Sequence, residues 1–253
     1  MAQLNCFSCL IFIALMSGVI LPRVQAQENM FSLNTVHFAV RHQEGVTADD
    51  ARRVADYLES DYEYLSRKLS IVLQQPVVVM LHGSKGKFLD GTRQARSSRR
   101  VIFTHGVLHV GPVKMLDRDK TLERSLSFEL AFLMLDSAKG CPRWLREALA
   151  VYHSGVMTDL TSPSGMAPKY FSDMDQDIQQ YPNPPQRDNV HYWLGMTWRF
   201  FLERYGDEKA FSVFRNFDGI RSTGDIFKNV FGEEFDKIER SWAAFLSRGS
   251  GVR

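Results

Sequence analysis

Leu126-Ser127-Phe128-Glu129-Leu130-Ala131-Phe132-Leu133-Met134-Leu135 is an apolar run with one carboxylate inside it. Trp144-Leu145-Arg146-Glu147-Ala148-Leu149-Ala150-Val151-Tyr152 follows after a short break. The first stretch reads as part of a helix from Leu122 to Ser137. The second reads as a helix from Pro142 to Ser154, with proline at its first position, where its missing N–H costs nothing. A helix that is apolar on nearly every side is a buried one. Glu129 is therefore expected inside the fold. A buried carboxylate must be paired, hydrogen-bonded or protonated, because leaving it charged and alone costs on the order of several kcal/mol. Arg146 and Arg199 are its expected partners. Three roles stay open for Glu129: a structural ion pair, a pocket carboxylate with a raised pKa able to do acid–base work, or a group reaching a solvated cleft.

Upstream, Phe31 to Arg41 contains Thr35-Val36-His37-Phe38-Ala39-Val40 and reads as a strand. Thr47 starts a helix with Asp49 and Asp50 in its first turn, and Ala51, Val54, Ala55, Leu58, Tyr62 and Leu65 fall at helical spacing. Gln74-Gln75-Pro76 breaks that helix, and Val77 to Leu81 is a short buried strand. Val101–Thr104 and Val107–Val110 flank His105-Gly106 and predict a hairpin. Downstream, helices are expected over Tyr192–Tyr205, Glu208–Phe217, Thr223–Val230 and Phe235–Ser247, and Gly249-Ser250-Gly251 reads as a frayed tail. Thr161 to Asn189 is polar and Pro-rich and reads as a long loop, either functional or disordered. The layout is α+β: a small N-terminal mixed sheet with a long helix, then a mostly helical half.

The chain has 253 residues, a hydrophobic fraction of 44%, a charged fraction of 24% and a formal net charge of +2. That balance argues against a polyanionic partner. Cys6 to Leu21 is an uncharged, mostly apolar run followed by Val24-Gln25-Ala26, a small-x-small cleavage pattern. Residues 1–26 are therefore expected to be a signal peptide, and the mature protein to be exported, with no membrane contact after cleavage. Cleavage removes Cys6 and Cys9. Cys141 then remains without an internal disulfide partner, as a small buried apolar residue or a free thiol.

Placed together, the Phe-Glu-x-x-Phe helix, the Trp-Leu-x-Glu helix and the Tyr-rich helix ending Glu203-Arg204-Tyr205-Gly206 resemble the thermolysin-like, or gluzincin, peptidases and the smaller bacterial peptidase MA-like family. The resemblance covers residues 27–248 as one domain, with an α/β lobe at 27–118, a gluzincin-like helical lobe at 119–248 and a tail at 249–253. In that family the motif helix carries H-E-x-x-H: two histidines one turn apart bind zinc, and the glutamate between them activates a water. Here the histidine positions hold Phe128 and Phe132. Glu129 matches the general base and Glu147 the third ligand. Phenyl groups have no lone pair for a metal, so the resemblance implies a pseudo-metallopeptidase that has lost the family's zinc and has no cofactor.

Arg146, His153, His191 and Tyr192 are candidates to line the remaining cleft. His153 and His191 are otherwise hydrogen-bonded helix-edge histidines, and Tyr192, Trp193 and Trp198 core aromatics. Glu147 is expected in surface pairs with Arg143 and Arg146. Lys85, Lys87, Arg93, Arg96, Arg99 and Arg100 form either a solvated basic loop or a rim for an anionic glycan, a lipid headgroup or an acidic peptide. No aromatic interleaving points to nucleic acid. Three functions follow. The first is an exported, periplasmic or extracellular, non-catalytic domain that binds a protein or peptide, for instance along the hairpin edge. The others are a zinc peptidase with unconventional ligands and a metal-free hydrolase using Glu129 and Glu147. The loss of both imidazoles favours the first.

Overall fold

The computed structural model describes residues 31–93, 99–136, 138–163, 167–179 and 184–249, with the side chains of 179, 184–186 and 249 excepted. The expected signal peptide, Arg96 and the tail beyond Gly249 lie outside these residues.

Val-rich segments build a mixed five-stranded sheet in the order β1-β2-β3-β5-β4. Its strands are β1 (Phe31–Asn34), β2 (Phe38–His42), β3 (Val77–Leu81), β4 (Val101–Thr104) and β5 (Val107–Val110). The single strand expected over Phe31–Arg41 is two strands, β1 and β2, running antiparallel. Asn34 to His37 turns the chain, and Thr35 holds the turn through bonds with Phe38 N–H and C=O. The central strands β2, β3 and β5 are parallel. In β3, Val77, Val79 and Leu81 alternate into the core, as the period of two requires.

Helix α1 (Ala48–Leu69) joins β2 to β3 and packs on the sheet through the stripe Ala51, Val54, Ala55, Leu58, Tyr62, Leu65 and Leu69. Its start is a capping box. Thr47 Oγ1 accepts from Asp50 N–H at 3.1 Å, and the Asp50 carboxylate accepts from Thr47 N–H at 3.4 Å. The basic stretch after β3, read as a loop, begins as α2 (Lys85–Thr92), capped by Ser84. Gly91 lets α2 close on the sheet: a Cβ there would stand 2.6 Å from the His82 ring. The β4–β5 hairpin forms as expected, with His105 and Gly106 both at positive φ (51° and 77°), the two-residue turn whose twist suits paired strands.

The helical half runs α3 (Val113–Arg118), α4 (Leu122–Leu135), α5 (Arg143–His153), a 3-10 turn at Val156–Asp159, α6 (Phe171–Gln179), α7 (Pro184–Tyr205), α8 (Asp207–Arg215), α9 (Thr223–Phe231) and α10 (Phe235–Gly249). Helix α5 lies between α4 and α7, and α1 touches both α4 and α8, so one apolar core runs through both halves. Its aromatic centre is Trp144 stacked on Phe171 (4.3 Å between centroids, 2° between planes), with Trp242 4.4 Å from Phe171 on its other contact.

The segment 161–189 is not one long loop. Its apolar residues Phe171, Met174 and Ile178 bury one face of α6, and α7 starts at Pro184, eight residues before the expected Tyr192. Helix α6 also supplies the cap that α5 lacks. Pro142 has no side-chain donor or acceptor to offer, and Asp175 accepts from Trp144 N–H at 2.9 Å.

Candidate functional site

Glu129 is 5% exposed, on the face of α4 turned to the sheet's β4 edge. Its Oε2 accepts from the main-chain N–H of Phe103 at 3.2 Å, and its Oε1 faces Arg99 Nη1 at 3.4 Å. The partners expected from sequence are elsewhere. Arg146 pairs with Asp136 and lies over the Phe132 ring, and Arg199 pairs with Glu203 one turn along α7. Burial is the largest influence on Glu129 and raises its pKa. Arg99 and the Phe103 N–H pull it back, and the charge of Glu147 on the adjacent helix adds to the rise.

Glu147 is 1% exposed, not a surface residue. Arg143, one turn before it on α5, donates from Nε to its Oε1 at 2.8 Å. Phe128 and Phe132 stand one turn apart on α4 with their rings nearly parallel, 7° between planes and 6.3 Å between centroids. Phe128 is buried and Phe132 partly so. The four residues named by the Phe-Glu-x-x-Phe and Trp-Leu-x-Glu patterns thus sit on two packed helices.

The donors do not suit zinc. A catalytic site needs three protein ligands and an open position. The two phenyl groups offer no donor, and Glu129 and Glu147 are each already held by an arginine. Among the described residues, no group of three or more His, Cys, Asp or Glu is placed to hold a metal ion.

Beside Phe128 and Glu129 opens a cleft of about 350 Å³, bounded by the segment entering β4, the first turns of α4, Val156 and the first turns of α7. His191 forms part of its floor, 5.9 Å from Phe128. Burial, with the nearby charges of Arg187 and Arg99, lowers the His191 pKa to about 3, so this imidazole is neutral.

Of the other cleft candidates, Arg146, His153 and Tyr192 lie outside it. Tyr192 meets Trp193 edge-on. His153 Nε2 bonds Asp61 Oδ1 at 2.7 Å and stacks on Tyr64. Asp61 also accepts from Ser127 Oγ at 2.8 Å, and Ser127 shares a 2.7 Å bond with Tyr57. This network ties α1, α4 and α5 together. With its carboxylate between the hydroxyl and the imidazole, it is not a nucleophile–base arrangement.

Sequence reasoning missed Arg187 in the cleft. It also left Arg99 among six scattered cations; among the described ones, Arg99 and Arg100 line the cleft. For Arg99 the sequence showed a place two residues before the first strand of the expected hairpin, and nothing in it said that this strand meets α4. Arg187 gave no signal, being masked by the Pro-rich composition around it. No protein-family model matches the chain, and no curated protein sequence is significantly similar to it.

Proposed function

We propose that this chain is an exported, non-catalytic, peptidase-like domain on the gluzincin or peptidase MA-like plan, and that it binds a protein or peptide partner in the cleft beside Glu129. One observation carries the reading. Two phenyl rings stand in parallel one helical turn apart, flanking a buried carboxylate, on a helix packed against a second helix with another buried carboxylate. That arrangement supports the reading because it resembles a gluzincin metal site with apolar groups at the nitrogen positions. The cleft remains open next to it, near the lower end of the roughly 300–1,000 Å³ range of ligand pockets.

A metal-free acid–base role draws support from the raised pKa of Glu129. Against it, both Glu129 oxygens are engaged and Glu147 is bound to Arg143.

Two measurements test the proposal. The double variant Phe128→His with Phe132→His is expected to bind one zinc ion in calorimetry, while the parent chain binds none tightly. Failure of a folded double variant to take zinc removes the peptidase-like assignment. The mature protein is also expected not to cleave a mixed peptide library, with or without added zinc. Cleavage that survives chelator but is lost in Glu129→Gln would establish the acid–base alternative instead.

A further inference from the structure

Four guanidinium groups from three parts of the chain line the cleft: Arg99 and Arg100 before β4, Arg124 on α4 and Arg187 on α7. Three of them face carboxylates: Arg100 pairs with Asp119 and Arg124 with Asp159 in solvent-exposed pairs, and Arg99 lies 3.4 Å from Glu129. Exposed pairs of this kind are weak, so they hold the Arg100 and Arg124 forks in place without locking out a competing anion. Arg99 lies 5.6 Å from the Phe128 ring centroid, stacked over the apolar floor. The depressed pKa of His191, caused in part by Arg187 and Arg99, is a second sign that positive potential gathers there.

The lining also limits the anion's charge. Asp119, Asp188 and Glu129 face the same space. A dianion or polyanion would meet them with more than one negative charge, whereas a peptide carboxylate brings a single charge to the guanidinium forks.

We infer that the cleft selects a peptide segment in which an Asp or Glu stands beside an apolar or aromatic residue, the carboxylate taken by Arg99 and Arg187 and its neighbour laid against Phe128. This deepens the partner-binding reading and rests on it. It supplies the specificity that the lost metal no longer provides.

The test uses the mature chain immobilised and exposed to a randomised library of N-acetylated, C-amidated hexapeptides at low salt. The retained fraction is expected to be enriched in Asp or Glu next to Phe, Tyr, Trp or Leu. Arg187→Gln and Arg99→Gln should each weaken the best acidic peptide by about tenfold or more. Arg240→Gln, at an exposed site on α10, should leave binding unchanged. Melting temperatures establish that each variant is folded, and Arg187→Gln carries the test alone if Arg99→Gln disturbs Glu129. Peptides retained with no acidic enrichment overturn this inference and leave partner binding standing. No retention of any peptide overturns both. Enrichment that persists in the folded arginine variants overturns the assignment to these residues. Displacement of the peptide by inorganic phosphate at lower concentration than by the peptide's own Glu-containing competitor would replace the peptide carboxylate by a phosphate.

Discussion

Glu129 Oε2 accepts from Phe103 N–H at 3.2 Å, so a helix side chain satisfies a main-chain donor of the sheet's terminal strand. The hairpin register explains why that donor is available. Thr104 pairs with Val107 at the turn, and Gly111 N–H bonds Arg100 C=O further along. Alternation along an antiparallel ladder then turns Phe103 and Val101 outward. The same contact narrows any role of β4 as a template for a bound chain, because one of its outward donors is already used.

The Glu129 carboxyl has its pKa raised above the ordinary 4.5, chiefly by burial. The folded state therefore binds its proton more tightly than the unfolded state. This contribution to stability is full below the unfolded pKa and is lost as pH rises through the folded value. Glu129→Gln cannot titrate. We expect its melting temperature to gain on that of the parent as pH increases from about 4 to about 8, read by calorimetry. A constant difference across that range would contradict the assignment.

His191 titrates in the opposite sense. Its pKa falls from 6.5 to about 3 on folding, so its contribution is intact above 6.5 and is lost as pH falls towards 3. His191→Phe keeps a ring in the floor and removes the proton site. The variant should lose less stability than the parent on acidification through that window, measured by urea unfolding at several pH values.

Asp175→Ala leaves the Trp144 N–H without its acceptor and should cost about 1–2 kcal/mol, as loss of a helix cap does. Burial raises the pKa of Asp175. Asp175→Asn, which keeps an acceptor and buries no charge, should fall well short of the alanine loss. Thermal unfolding of the pair separates the cap from simple packing.

Cys141 is buried, and burial pushes its thiol pKa far up. The thiolate is the reactive form. The thiol should resist a disulfide reagent in the folded protein at neutral pH and react fully in denaturant. Rapid labelling of the native protein would show that this region opens.

Much of the architecture was legible because it rests on periodicity. The α1 stripe, the alternation in β3, the His105-Gly106 turn and the apolar α4 each announced their element. Helices α2 and α6 were hidden by composition: Lys85 to Thr92 holds two glycines, and Phe171 to Gln179 lies among prolines. The α6 apolar face, only Phe171, Met174 and Ile178, is too short to dominate a window. At the site, the burial of Glu129 followed from its apolar neighbours, but its partners did not. Sequence proximity favoured Arg146, one helix away. The fold instead brought Arg99 from thirty positions upstream, because α4 packs against β4. Long-range pairing of this kind is set by topology and leaves no local trace.

An unprotected terminal strand invites identical molecules to add to it one after another. The bond from Phe103 to Glu129 blunts that tendency, and β1 at the opposite end spans only four residues. Truncating this carboxylate to alanine would do more than remove one buried charge: it would bare the sheet's flank to self-association, giving a protein that folds yet sediments as larger species with rising concentration.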